Sequence, residues 1–430
     1  MGGLQVAEPG LQTPESGLQG RFLRRWLGRH CRWRRGRRER GAALLLVVTS
    51  LAILTAVSAE FTYATRVNYA AAVNQRDALR AHYLARSGIA LGRLLIKVQQ
   101  TVVDPNRRFV GDLQVADFAP YLMSAFAGTG AGELASLLGI SDRPIKGLGI
   151  AHGSFDLAIT TEDGKVNLNC AGGSLAQQQM LASQLAALFA PARYNRLFEQ
   201  PDAEGQFTDR VEQTRAIIDY VDRDEALYEG GGAPEDYRYE AGPDPYKARQ
   251  NYFDSVAELH LVKGVDDVFF STFGNTFTVY GSCKTNLSDI QPEGWPLLAS
   301  ILRFAAKNPN DPLLQNEAQL AALAIHLASM RQFLGTGFAD ANQFIQAAKT
   351  PTPMSLDEQP RQPLVGLELD PQKLGQVIAF GPRRIYRLEA SAEIGKVRRR
   401  ISAVFDSQHI NQNTVDPGDR RGTWVYWREE

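Results

Sequence analysis

Arg40-Gly41-Ala42-Ala43-Leu44-Leu45-Leu46-Val47-Val48-Thr49-Ser50-Leu51-Ala52-Ile53-Leu54-Thr55-Ala56-Val57-Ser58-Ala59 opens the stretch around which this 430-residue chain is organised. The 18 residues after Gly41 carry no charge, and the first charged side chain is Glu60. Helix-compatible sequence continues through Ala70-Ala71-Ala72-Val73 to Leu94-Leu95-Ile96-Lys97-Val98 without a proline. The reading is one helix over 40–98, apolar all round at its start and one-sided later. An apolar run of this length reaches the lower limit for spanning a bilayer. Pro105-Asn106 is expected to end the helix.

The tract before it sets the orientation. Residues 21–40 contain ten arginines and one acid, Glu39, with Phe22, Trp26 and Trp33 interleaved. Basic residues flanking an apolar helix stay in the cytoplasm, so the long C-terminal part is expected outside it. Recognition of nucleic acid or anionic lipid by this Arg/Trp tract is the alternative. Residues 1–20, rich in Gly, Gln and Pro, have no helical period. Ala56-Val57-Ser58-Ala59 weakly imitates a signal-cleavage site, but helical sequence continues past it, so the run is read as retained.

The totals exclude several classes. Lys+Arg and Asp+Glu both number 47, so the chain beyond the basic tract is net acidic, which argues against a general nucleic-acid binder. Three cysteines, Cys31, Cys170 and Cys283, offer neither a disulfide-rich scaffold nor a CxxC zinc site. No Ser elbow, HExxH, P-loop or GxGxxG supports an enzyme. A chain of this length is expected to hold two or three domains.

Beyond the membrane, Leu84, Gly88, Leu91, Leu95 and Val98 recur at steps of three and four and form the expected packing stripe. Arg76, Asp77, Arg80, Arg86 and Arg93 are read onto the other side. Asp117–Leu122 and Glu133–Leu138 read as short helices or loops. Gly153–Thr161 alternates as a strand, Asp163-Gly164 gives a hairpin turn, and Val166–Leu168 resumes the strand. Thr276–Tyr280 reads as a further strand, and Cys283-Lys284-Thr285-Asn286-Leu287 echoes Lys165-Val166-Asn167-Leu168-Asn169-Cys170. Helices are expected over 297–306, 317–332 and 340–348, with a proline-rich linker over 351–363. Ile385–Ile394 and Val397–Asp406 alternate about Gly395 as a strand hairpin.

Several of these segments carry a family resemblance. A basic tract, a glycine and an uncharged helix resemble the cleavage site of type IV pilin-like precursors. In that family a membrane peptidase cuts after the glycine, here between Gly41 and Ala42. Most members carry Glu at the fifth mature position, where this chain has Leu46. A buried intramembrane carboxylate persists only when paired, and a subunit with no neighbour above it has no use for one. Asp163-Gly164-Lys165-Val166-Asn167-Leu168-Asn169 comes next in order. Ile217-Ile218-Asp219-Tyr220-Val221-Asp222-Arg223-Asp224, Gly231–Tyr239 and Ser255–Val265 follow. Together they resemble the type II secretion system protein K family, with Tyr220 in place of the usual Trp.

The resemblance implies an α+β fold. A long N-terminal transmembrane helix would pack on a pilin-like antiparallel sheet, with a large inserted α-helical domain of SAM-like or helix-hairpin-helix-like kind. The corresponding segments are a cytoplasmic leader (1–41), the transmembrane and stem helix (42–100), and the first part of the sheet (101–170). The helical insertion (171–350), the linker (351–363) and the closing strands (364–430) follow. The implied role is a non-enzymatic minor pseudopilin in the bacterial inner membrane, with a periplasmic body that caps the fibre tip. Expected partners are the I- and J-type minor pseudopilins, the major pseudopilin and the prepilin peptidase, and no nucleic acid. A membrane-anchored pilus or DNA-uptake component is the alternative, since Glu258–Phe273 superficially resembles a helix-hairpin-helix clamp.

Eight acids, among them Asp219, Asp222, Asp224, Glu235, Asp236 and Glu240, crowd the loop 219–240. Such density suits Ca²⁺ or full solvation, and its spacing is not an EF-hand. The family binds calcium in such a loop, which makes Asp222, Asp224, Glu235 and Asp236 the candidate ligands. A glycosidase-like pair of acids is the weaker alternative. Cleavage at Gly41 would remove Cys31 and leave Cys170 and Cys283 as a candidate disulfide, with two separate buried thiols as the alternative.

Overall fold

The computed structural model describes residues 40–106, 114–119, 153–200, 208–229, 239, 245–290, 292–334, 338, 340–352, 364–410 and 421–430. The chain falls into two units, residues 1–72 and 73–430. Helix α1, Arg40–Val98, runs through the boundary between them.

In the first unit, the apolar side chains of Leu44 to Val57 are exposed along the helix. The Thr49 and Ser50 hydroxyls donate to the carbonyls of Leu45 and Leu46. Those polar groups are therefore satisfied within the helix, as a low-dielectric surrounding requires. Of the described helices, this is the one long and apolar enough to cross a membrane.

In the second unit, four antiparallel strands form a sheet in the order β1 (Ser154–Thr161), β6 (Ile385–Ile394), β7 (Val397–Ile410) and β8 (Arg421–Glu429). The 73–98 part of α1 packs on this sheet through Ala85, Ile89, Leu95 and Ile96, against Leu157, Leu388, Ala390, Ala392 and Ile401. The buried stripe is centred on Ala81, Ala85 and Ile89, whereas Leu84 and Leu91 are only half-buried. Small residues decide this, because they let helix and sheet approach closely. A Cβ at Gly88 would lie 3.1 Å from Ala390 Cβ, and one at Gly92 would overlap the Leu388 side chain. Asp77, expected on the polar side, is buried and accepts from Arg76. Past Val98 the helix widens into a π-turn over Gln99–Val103 and tightens over Asp104–Asn106. The Gln99 side chain donates to Asp104 and accepts from Val115 N, which pins this irregular end.

After β1 the chain leaves the sheet. The Asp163-Gly164 turn does not return it as a hairpin. Instead β2 (Val166–Asn167) pairs in parallel with β3 (Phe277–Thr278), a far shorter strand than 276–280. A parallel pair needs a long crossover, and here helical sequence supplies it. Its main helices are α2 (Leu175–Phe189), α3 (Asn195–Glu199), α4 (Arg210–Asp219) and α5 (Asp267–Phe273). The starts of α2, α4 and α5 are capped by the Ser174/Gln177 box, Asp209 and Asp266.

The echoed sequence then repeats the arrangement. Strand β4 (Thr285–Asn286) pairs in parallel with β5 (Ile378–Ala379) across a second set of helices. These are α6 (Trp295–Ala305), α7 (Pro312–Gln315), α8 (Glu317–Leu334), α9 (Ala341–Lys349) and α10 (Pro371–Val377). In both copies the asparagine side chain donates to a glycine carbonyl just past the partner strand, Asn167 to Gly281 and Asn286 to Gly381.

Both sets of helices share one apolar core. That core takes in Val166, Leu168 and Cys170 at one end and Leu367, Leu374, Val377 and Ile378 at the other. The insertion is therefore wider than 171–350. The chain past the proline-rich segment first completes the helical body and only then the sheet. The hairpin about Gly395 stands where the alternation put it, and β8 adds a third late strand. Of the two short segments expected over 117–138, Val115–Phe118 forms a 3-10 turn, and residues 120–138 lie outside the described ones.

Candidate functional site

The features that bear on function lie along the chain: the start of α1, the acidic loop, the cystine and the junction where the insertion joins the sheet. Gly41 and Ala42 are exposed near the start of the apolar helix, and Leu46 is 67% exposed. The basic tract before Arg40 lies outside the described residues.

The acidic loop begins at the C-terminus of α4. Asp219 is buried and accepts from Tyr228 N at 2.7 Å, which closes the first turn of the loop. Asp222 is also buried, with the Gln178 amide 3.4 Å from its carboxylate. Asp224 is exposed and accepts from Ala226 N. Glu235, Asp236 and Glu240 lie outside the described residues. Among the described residues no group of three or more His, Cys, Asp or Glu could hold a metal ion. Asp222 and Asp224 by themselves are thus not a cation site.

Aromatic packing holds the base of this loop. Tyr220 stacks on Phe253 with centroids 5.4 Å apart and meets Tyr239, which packs on Tyr246. Burial pushes the Tyr220 hydroxyl up from its ordinary pKa. Below it, Arg249 is clamped between Asp254 and Glu258. Gly264, between the turn Val256–Leu261 and α5, has φ +81°, and the space a Cβ would need is filled by Gln213 and Thr208.

Cys170 and Cys283 form a disulfide with Cα atoms 5.6 Å apart. It ties the turn after β2 to the start of the second copy.

The junction was not found by sequence motifs. Asp163 accepts from the backbone N–H of Arg384 and Ile385 at 2.5 and 2.9 Å. Burial pushes its pKa up to about 6, against the lowering effect of those two bonds, and nearby Asp289 adds to the rise. Its neighbour Glu162 goes the other way. Burial raises it, but Lys165 and Arg387 together hold it below the usual carboxylate range. Arg383 and Asp289, both buried, pair at 2.6 Å, and Arg383 also reaches Asp117 at 3.2 Å. Asn169 donates to the carbonyls of Phe253 and Val279 and accepts from Phe253 N, which knits the loop base to β3. The sequence signal for this junction was slight: an Asp-Gly turn and an Arg-Arg pair after Gly381-Pro382, 222 residues apart between Asp163 and Ile385.

Residues 164–281 match the family described as Type II secretion system (T2SS), protein K. The protein K match begins at the turn before β2 and ends just past β3, so it covers the first copy of the repeated arrangement. No curated protein matches the chain. Among solved structures, the GspK-GspI-GspJ complex from the enterotoxigenic Escherichia coli Type 2 Secretion System is similar, with a TM-score of 0.40 and 13% identity. That likeness covers 66% of this chain and 82% of the other.

Proposed function

We propose that this protein is a minor pseudopilin of a type II protein secretion system, acting by assembly rather than catalysis. The observation that carries the reading is the protein K match over 164–281. The matched segment is inserted into a sheet domain built on the continuation of an apolar, membrane-length helix. The helix anchors the chain in the inner membrane, with the basic tract in the cytoplasm and the body in the periplasm. An oxidising periplasm is consistent with the Cys170–Cys283 disulfide. Prepilin peptidase cuts between Gly41 and Ala42, and the mature helix joins those of I- and J-type minor pseudopilins and the major pseudopilin. With Leu46 where most subunits have Glu, the protein pairs with no subunit above it. Its broad, SAM-like helical body then caps the fibre tip.

Calcium belongs to this proposal as a structural ion. Asp222, at the mouth of the loop, and Asp224 would supply half of a ligand set that Glu235 and Asp236 complete. The ion would fix a loop that has little apolar core of its own.

One preparation of the full chain, expressed with and without a prepilin peptidase, tests both points. Mass analysis of the peptidase-treated protein should give a chain starting at Ala42, and any other start sinks the pseudopilin reading. Metal analysis of the same sample should give bound calcium that is lost in an Asp222→Asn/Asp224→Asn variant. Calcium unaffected by that variant would remove these ligands from the proposal.

A further inference from the structure

The two edges of the four-stranded sheet differ. At β1, Leu157 N points away from β6 and is taken by the Asp156 side chain at 2.9 Å, and the turn Val115–Phe118 lies alongside. At β8, Arg400 and Glu430 exchange both backbone bonds, so the N–H and C=O of Trp427 and Glu429 point away from β7. Among the described residues those groups bond to nothing. Val425 and Trp427 are 44% and 38% exposed along this edge. Natural sheets seldom leave such a row of backbone groups uncovered beside apolar side chains.

A groove of about 450 Å³ adjoins the same edge. Leu79 and Ile401 give it apolar lining, and His82, Arg399, Arg400, Glu429 and Glu430 border it. Ile401 and Glu429 are cross-strand partners, so their side chains share the face that turns to the stem. The acids at the groove are already matched. Glu429 faces His82 at 3.6 Å, and Glu430 meets Arg428 at 2.9 Å. Arg400 in turn pairs with Glu389. Arg399 is exposed and has no acidic partner among the described residues. The charge left over at the rim is therefore positive.

We propose that β8 takes up an extended segment of another polypeptide as an added strand of the sheet. Its backbone pairs with the N–H and C=O of Trp427 and Glu429. A residue opposite either of these lies on the stem side of the sheet. The segment therefore has aliphatic residues at alternate positions, which fill the groove over Leu79 and Ile401, and an acid at its end, which meets Arg399. A second copy of this chain is a poorer match. Its β8 brings Arg421 and Arg428, and its Glu429 and Glu430 are already engaged, so it offers Arg399 no acid. None of this depends on the assembly reading.

The test uses the full chain in detergent and labelled peptides of about eight residues, in which Val and Thr alternate between a Glu at each end. Fluorescence anisotropy should show binding. N-methylation of the Val residues, whose N–H groups face β8, should weaken it at least about tenfold, and N-methylation of the Thr residues should leave it within about twofold. Lys in place of the terminal Glu should weaken it too, and Arg399→Glu should reverse that preference. Glu429→Pro removes an N–H that the fold does not use, and should abolish binding with the circular dichroism of wild type retained. If that variant misfolds, the two methylation patterns on the wild-type chain decide. Absence of binding, equal loss from both methylation patterns, or a charge preference untouched by Arg399→Glu would overturn the proposal. So would a peptide-free chain that dimerises and is made monomeric by Glu429→Pro. Failure on any of these counts would leave the pseudopilin reading standing.

Discussion

At Asp163 two demands oppose each other. Its carboxylate receives two backbone N–H groups from the first residues of the returning chain, yet burial and Asp289 hold its pKa at about 6. The folded state thus binds a proton more tightly than the unfolded chain, whose value is 3.8. The stabilisation from that proton is complete below 3.8 and is lost as pH rises through about 6. Its size is on the order of 3 kcal/mol. Denaturant titrations of wild type and Asp163→Asn should therefore differ by an amount that changes by about 3 kcal/mol across this window and is flat above it. A difference that does not vary with pH would mean that Asp163 titrates alike in the folded and unfolded chain. Glu162 has the reverse dependence, because its folded pKa lies below 4.5 and its contribution is lost on acidification. Neither role could be read from sequence. Asp163-Gly164 looks like any hairpin turn, and what makes Asp163 unusual comes from residues more than 120 positions away.

Among the elements, the stem helix was the most legible. Its bounds follow from an uninterrupted run ending near Pro105, because proline and the loss of apolar period are local signals. Its buried face was less so. Of the expected stripe, Gly88 and Leu95 are buried and Leu84 and Leu91 pack half-buried at its edge, while Ala81, Ala85 and Gly92, not expected there, complete the face that meets the sheet. Closeness of approach, not side-chain size, selects it. This contact predicts an asymmetric response at Gly88. Ala there gains up to about 1 kcal/mol of helix propensity, which offsets a tight contact with Ala390 Cβ. Leu should lose about 1–3 kcal/mol by overpacking. Chemical denaturation of the two variants measures the contrast, and equal stabilities would show that the stem can slide away from the sheet. The hairpin β6–β7 was legible for the usual reason, alternation about a glycine. Strand β8 was not, since Trp424–Trp427 does not alternate and its pairing with β7 shifts register. The echo between 165–170 and 283–287 proved the most informative short signal, marking two parallel pairs too short for any strand pattern.

For the whole molecule, the disulfide ties the two copies of the insertion to each other, and the junction holds that insertion to a small sheet. Cys170 and Cys283 are 113 residues apart, so their link removes much freedom from the unfolded chain. A Cys170→Ser/Cys283→Ser variant should lose about 2–5 kcal/mol of stability. Thermal unfolding of oxidised wild type, reduced wild type and variant reads this directly. A variant as stable as the oxidised protein would mean that the shared apolar core suffices. The candidate calcium loop was visible as a density of acids, but density alone does not place carboxylates together. Of the described pair, Asp222 is buried and Asp224 faces solvent.

The insertion leaves and re-enters the sheet at one point. Thr161 is paired with Tyr386, and Glu162 N donates to Ile385 O. Strands β6 and β7 are joined by a tight turn and can find each other early, as local contacts do. Strand β1 cannot, because more than 200 residues must first draw its end towards β6. The sheet is therefore completed late, by the collapse of the helical body rather than by any property of β1. Until then the edge of β6 stays open, and the protein passes through an interval in which its unfinished sheet is the surface most exposed to wrong partners.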